Sequence, residues 1–264
     1  MTLAQTGEEL TYDIHDGVGV VTLNRPHARN ALTHEMYAEL ARICTEMPTD
    51  GSVHALVVTG AGDKAFAAGT DISLFLDFTT PEQGLVYEEA ARRQFEDYDS
   101  CPVPVIAAIS GACTGGGAAI AACCDIRIAT RSMKFGFPIS RTLGNCLSAD
   151  TLHRLVSLIG EARTKDLIIT SRLIEADEAL RIGLVNEVVE DHAALMDRAM
   201  GLARQLKDHA PLTMRATKVL LKRLRDAAPR VDDSDWIGKV YSSADFKEGR
   251  EAFLAKRKPA WTGT

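Results

Sequence analysis

The chain has 264 residues, long for an average domain yet within the reach of one α/β unit. Its 46% hydrophobic and 25% charged residues are ordinary globular usage and can supply a large core. A net charge of −6 with scattered basic residues argues against a dedicated nucleic-acid binder, which would carry a basic stripe. The six cysteines, Cys44, Cys101, Cys113, Cys123, Cys124 and Cys146, lack C-x-x-C spacing, and several lie in apolar runs, as reduced core thiols do. No apolar run approaches the ~18 residues of a membrane span. Residues 1–17 lack a basic-then-apolar leader, so a cytoplasmic location without a membrane partner is expected.

In chain order, VGVVTL at 18–23 reads as a strand ending in the turn Asn24-Arg25-Pro26. Thr33 is placed to cap a helix running through Ile43, with Met36, Leu40 and Ile43 on one face. Ala55–Gly60 reads as a second buried strand, and 84–98 as a charged helix. Val105–Ile109 is a third strand, followed by a glycine-rich turn over Gly111–Gly117 and a small-residue apolar helix over 117–124. Asp125–Ala129 is a fourth strand. From about Thr151 helical periodicity takes over, at 161–170, 175–182 and 192–208 among others, with a strand-like break at Val185–Val189. Short apolar strands alternating with helices predict parallel pairing in an α/β sheet. No linker, repeat or low-complexity tract divides the chain. The expected organisation is an α/β core over 1–195 and a helical C-terminal region over 196–264, within one structural unit.

Two loops that follow buried strands carry the chemical signal: Lys64-Ala-Phe-Ala-Ala-Gly-Thr-Asp-Ile72 and Ser110-Gly-Ala-Cys-Thr-Gly-Gly-Gly117. Small residues let the backbone approach a ligand closely. Gly116 falls where the second loop enters a helix, where free N–H groups point outward and the helix dipole favours negative charge. A carbonyl oxygen gaining charge needs such donors, and losing one costs roughly 3–4 kcal/mol of barrier. Read singly, each loop is equally a set of tight turns. Neither is a dinucleotide fingerprint or a phosphate-binding P-loop.

Over nearly its whole length the chain resembles the enoyl-CoA hydratase/isomerase, or crotonase, superfamily. The matching segments are VVTLNRPHARNAL at 20–32, VVTGAGDKAFAAGTDI at 57–72 and PVIAAISGACTGGGAAIAACCDIRIA at 104–129. FGFP at 135–138, GLVNEVV at 183–189 and FKEGREAFLAKRKPAW at 246–261 continue them in family order. The resemblance implies an α/β spiral of ββα units with a helical C-terminal trimerisation region, building trimers or dimers of trimers. It implies an acyl-CoA ligand, with coenzyme A as part of the substrate and no separate cofactor. The oxyanion donors would be the backbone N–H groups of Thr70, where the family usually has alanine, and Gly116. Coenzyme A would lie along His27, Ala28 and Ala67, Ala68, Asp71 and Ile72, with Arg25 nearby. Phe253 and Lys256 would reach it from the C-terminal helix. Gly115, Ala119, Ile139 and Leu147 would line the acyl group.

By the same resemblance, hydratases place two glutamates where this chain has Ala119 and Ile139. Neither side chain can move a proton. The expectation is therefore a family lyase or isomerase, poor as a hydratase, with a base placed elsewhere. Asp71, Asp77, Tyr87, Glu88, Glu89 and Asp97 offer one, as do Arg141, Asn145, Cys146, Ser148 and Asp150; each is equally readable as a solvated charge, a turn former or a helix cap. A non-catalytic acyl-CoA carrier or sensor is the alternative. No metal-ligand cluster is expected from the scattered histidines.

Overall fold

The computed structural model describes residues 8–227 and 231–264; residues 1–7, where the leader was sought, lie outside them. The chain opens with an antiparallel hairpin, β1 (Leu10–His15) and β2 (Val18–Leu23). Its two-residue turn, Asp16-Gly17, lies at positive φ, as Asp-Gly hairpin turns require. Helix α1 (His34–Thr45) follows, capped by Thr33, whose hydroxyl accepts from the Met36 amide.

The chain then repeats one motif. A strand of the first sheet leads within a few residues to a strand of a second sheet, and then to a helix. The turns are β3 (Ala55–Gly60), β4 (Ala65–Ala67) and α2 (Pro81–Asp99), then β5 (Val105–Ile109), β6 (Ala112–Thr114) and α3 (Gly116–Cys123). The third is β7 (Ile126–Thr130), β8 (Lys134–Gly136), α4 (Ile139–Thr142) and α5 (Ala149–Ile159). Helix α6 (Glu161–Ile169), β9 (Ile174–Glu175), α7 (Ala176–Arg181) and β10 (Glu187–Val189) follow. The six-stranded sheet has the order β1-β2-β3-β5-β7-β10 and the four-stranded sheet β4-β6-β8-β9. From β2 to β10 the larger sheet is parallel throughout. This is the parallel α/β sheet that the strand pattern predicted, in the spiral of ββα units that the family resemblance implied. The glycine-rich segment 111–117 differs from the expectation in holding a short strand, β6, rather than only a turn.

Strand β3 explains the layering. All six of its residues are buried, as for a central parallel strand. Leu56 and Val58 face the main core, whereas Ala55 and Val57 face the opposite side. There they meet Leu195, Ala199 and Ala203 of α8 (His192–Gln205). The remaining helices are α9 (Pro211–Asp226), α10 (Ser234–Tyr241) and α11 (Ala244–Leu254). Helix α9 has no buried residue and exposes Leu212, Leu220, Leu221 and Leu224. Helix α10 packs on α2 at Gly84, where any side chain would collide with the Tyr241 ring. Among the described residues no helix is long and apolar enough to cross a membrane, and no group of three His, Cys, Asp or Glu is placed to hold a metal.

Candidate active site

The loop after β4 is fixed by the segment at 25–32. Asn30, fully buried, donates to the Ala65 and Ala61 carbonyls at 2.8 and 3.2 Å and accepts from the Arg25 amide at 3.0 Å. The Leu32 amide donates to the Gly69 carbonyl at 2.8 Å, and the Asp71 amide to the Leu32 carbonyl at 2.9 Å. This alternation leaves the Thr70 amide unused. Asp71 pairs with Arg25 at 2.8 Å and accepts from the Ser73 amide at 3.0 Å. Burial opposes its charge, but these bonds win and hold its carboxyl below the usual range. It stabilises the turn.

The second loop enters α3 through Gly115, whose φ of +54° and ψ of −123° exclude ordinary L side chains. The Gly116 amide opens the helix and has no partner within it. Among the described residues neither the Thr70 nor the Gly116 amide donates to a protein acceptor. The two residues adjoin: a methyl built on Gly116 would stand 3.0 Å from Thr70 Oγ1 and collide with the Tyr37 hydroxyl.

Both residues line a cavity of about 700 Å³. Three hydroxyls meet at its floor, with Thr70 Oγ1 2.9 Å from Tyr37 Oη and 3.0 Å from Tyr87 Oη. Burial raises both tyrosines, so they stay protonated hydrogen-bonding groups. Further along, Tyr241 Oη donates to Glu88 Oε1 at 2.5 Å and accepts from Asn145 Nδ2 at 3.3 Å. Asn145 Oδ1 is buried without a partner. Burial pushes the Glu88 carboxyl up to about 7, against the lowering effect of the Tyr241 and Ser148 hydroxyls.

Of the residues the sequence singled out, Ala28, Ala68, Thr70, Asp71, Ile72, Gly115, Gly116, Ala119, Ile139, Leu147 and Phe253 share this cavity, as do Tyr87, Glu88 and Asn145. Ala67 is buried behind it in β4, against Gly117. Arg25 braces the loops, donating to the Ala31 carbonyl at 2.7 Å. His27 and Lys256 are exposed outside the lining. Cys146 is no thiolate, because burial and the nearby Glu88 push its thiol up to about 12. Ser148 occupies the N-cap position of α5, its hydroxyl turned to Thr151 at 3.1 Å.

Tyr37 and Tyr241 escaped the sequence reading. Tyr37 hides on the buried face of α1, where a hydroxyl among apolar positions was the available signal. Tyr241 comes from α10, far along the chain, and carried no local mark.

A profile of the enoyl-CoA hydratase/isomerase family matches residues 13–264, and the chain belongs to that family. It is 38% identical over 244 residues to a short-chain-enoyl-CoA hydratase of Clostridium acetobutylicum, covering 91% of this chain and 92% of the relative. It superposes on an enoyl-CoA hydratase/carnithine racemase of Magnetospirillum magneticum with a TM-score of 0.79 at 36% identity, over 98% and 97% of the two chains. A methylmalonyl-CoA decarboxylase complexed with 2S-carboxypropyl CoA gives a TM-score of 0.88 at 26% identity, over 98% and 100%.

Proposed function

We propose that the protein is an acyl-CoA enzyme that holds the thioester carbonyl between the Thr70 and Gly116 amides and stabilises the enolate formed there. The observation that carries this reading is the pair of acceptor-free amides on adjoining loops at one cavity floor. Coenzyme A, as part of the substrate, enters past Ala28, Ala68 and Phe253. Exposed Lys256 supplies charge to its phosphates, His27 adjoins Ala28 along its path, and no separate cofactor takes part.

The chemistry departs from hydration. Ala119 and Ile139, buried in the lining, stand where the resemblance puts the paired glutamates. Water is not activated there, and the base lies elsewhere in the cavity. Because Glu88 also lines the cavity, it is not the wholly apolar pocket a carrier would need. The exposed apolar face of α9 supports a homotrimer, or a dimer of trimers, as the working assembly.

Infrared difference spectroscopy of bound butyryl-CoA carrying a ¹³C-labelled thioester carbonyl tests the site. The carbonyl stretch should fall below its value in water; an unshifted band sinks the reading. On crotonyl-CoA, hydration should be at least about a hundredfold slower than in glutamate-bearing relatives, the low end of what general acid–base groups contribute.

A further inference from the structure

We infer that Glu88 is the proton carrier of this site, with Tyr241 as the residue that positions it. The assignment rests on the acyl-CoA reading above and names its base. Asp71 and Glu88 are the two carboxylates in the cavity lining. Asp71 is held by Arg25 and by Ser73, which keep it a weak base. Glu88 has no cation in hydrogen-bond contact among the described residues; the hydroxyls of Tyr241 and Ser148 bond it. Its neighbour Tyr87 bonds the hydroxyl of Thr70, whose amide is one of the oxyanion donors. Gly84, one helical turn before Glu88, leaves the room that lets the Tyr241 ring close on α2.

The step balances within the substrate. The Glu88 carboxylate takes a proton from the α-carbon, or from the γ-carbon of an enoyl chain. The C–H electron pair moves toward the carbonyl, and the carbonyl π pair moves onto the oxygen between the two amides. The same carboxyl then returns the proton to carbon, at the original position or two atoms along. The outcome is hydrogen exchange or a shifted double bond, with no oxidant or co-reactant.

A carboxyl titrating near neutrality suits reversible transfer from carbon. The groups around it fix that property. Tyr37 of α1, Tyr87 of its own helix, Cys146 of the loop before α5 and Tyr241 of α10 act on it from the inside. Glu89, Arg92, Ser148, Asp150, Asp232 and Asp233 line its outer side.

Butyryl-CoA incubated with the protein in deuterium oxide, read by mass spectrometry, tests the assignment. The wild type should exchange α-hydrogens with a rate that rises through a pH of about 7. Glu88→Gln should lower exchange at least about a hundredfold, with butyryl-CoA affinity kept within a few-fold, and Glu88→Asp should restore part of it. Tyr241→Phe, which removes the larger of the two bonds that lower the carboxyl, should move the pH limb upward; a residue that merely fills space would leave the limb in place. Wild-type exchange that survives in Glu88→Gln, or a wild type that binds butyryl-CoA and exchanges nothing, overturns the assignment. A wild type that binds no butyryl-CoA overturns the acyl-CoA reading, and this assignment with it.

Discussion

Tyr37 places its hydroxyl 2.9 Å from Thr70 Oγ1, in the space that a side chain on Gly116 would need. The glycine at 116 is thus required by a neighbour on α1. Gly116→Ala should destabilise the fold by about 1–3 kcal/mol, the usual cost of forcing a methyl into a packed site. Tyr37→Phe alone should cost about 1 kcal/mol for its lost hydrogen bond. In the double variant the nearest remaining atoms are Thr70 Oγ1 at 3.0 Å and the ring carbon at 3.1 Å. Denaturant titrations should therefore give less than the sum of the two single costs; strict additivity would contradict the contact.

Thr70→Ala keeps the amide and deletes the hydroxyl between Tyr37 and Tyr87. Stability should fall by about 1–3 kcal/mol, because two buried hydroxyls lose a partner. Butyryl-CoA affinity, measured by calorimetry, should change less than about tenfold, since one neutral hydrogen bond is worth no more than that. A hundredfold loss would place the hydroxyl itself on the ligand.

Glu88 also ties stability to pH. In the fold its carboxyl holds its proton up to about pH 7, whereas the unfolded chain releases it near the ordinary 4.5. The folded state therefore binds more protons between these values, and stability falls as pH rises through that window. The contribution is present in full below 4.5 and gone above 7, and is at most on the order of 3 kcal/mol. Glu88→Gln, neutral throughout, should flatten the decline. Melting temperatures recorded from pH 5 to 8 check this, and an unchanged slope in the variant counts against it.

Asp99, at the end of α2, ties α5 and α9 to the core through Arg154 and Arg225, each at 2.6 Å. The Asp99 and Arg154 side chains are 7% and 11% exposed. Asp99→Ala leaves a buried guanidinium without its counter-charge and should cost about 3–5 kcal/mol in urea unfolding. A loss below 1 kcal/mol would mean that water reaches the arginines.

The sequence made the parallel sheet legible because β2, β3 and β5 are short, mainly apolar runs bounded by turn residues, and β7 departs from that only at Arg127 and its final Thr130. The second sheet was not legible. Its strands β4, β6, β8 and β9 are two or three residues long, too short to carry a period of two. The two loops could be read from Gly69 and Gly115, where positive φ demands glycine, and from Gly116, where the Tyr37 hydroxyl leaves no room for a side chain. The far wall could not. Whether Glu88 faces solvent or the cavity depends on α10 docking against Gly84, and no pattern within 84–98 encodes that contact. For the same reason Asn145 stayed one polar candidate among several until Tyr241 arrived beside it.

The order in which the polypeptide leaves the ribosome gives Tyr241 a last consequence. Strand β10 ends at Val189, so a nascent chain can complete its larger sheet with a long tail still untranslated. Tyr241 emerges about fifty residues later and brings the contact that orients Glu88. If Glu88 is the proton carrier proposed above, a newly made molecule completes its larger sheet before that group is positioned. On the same proposal, a chain ending before α10 would keep the strands of both sheets and lack the hydroxyl that positions Glu88.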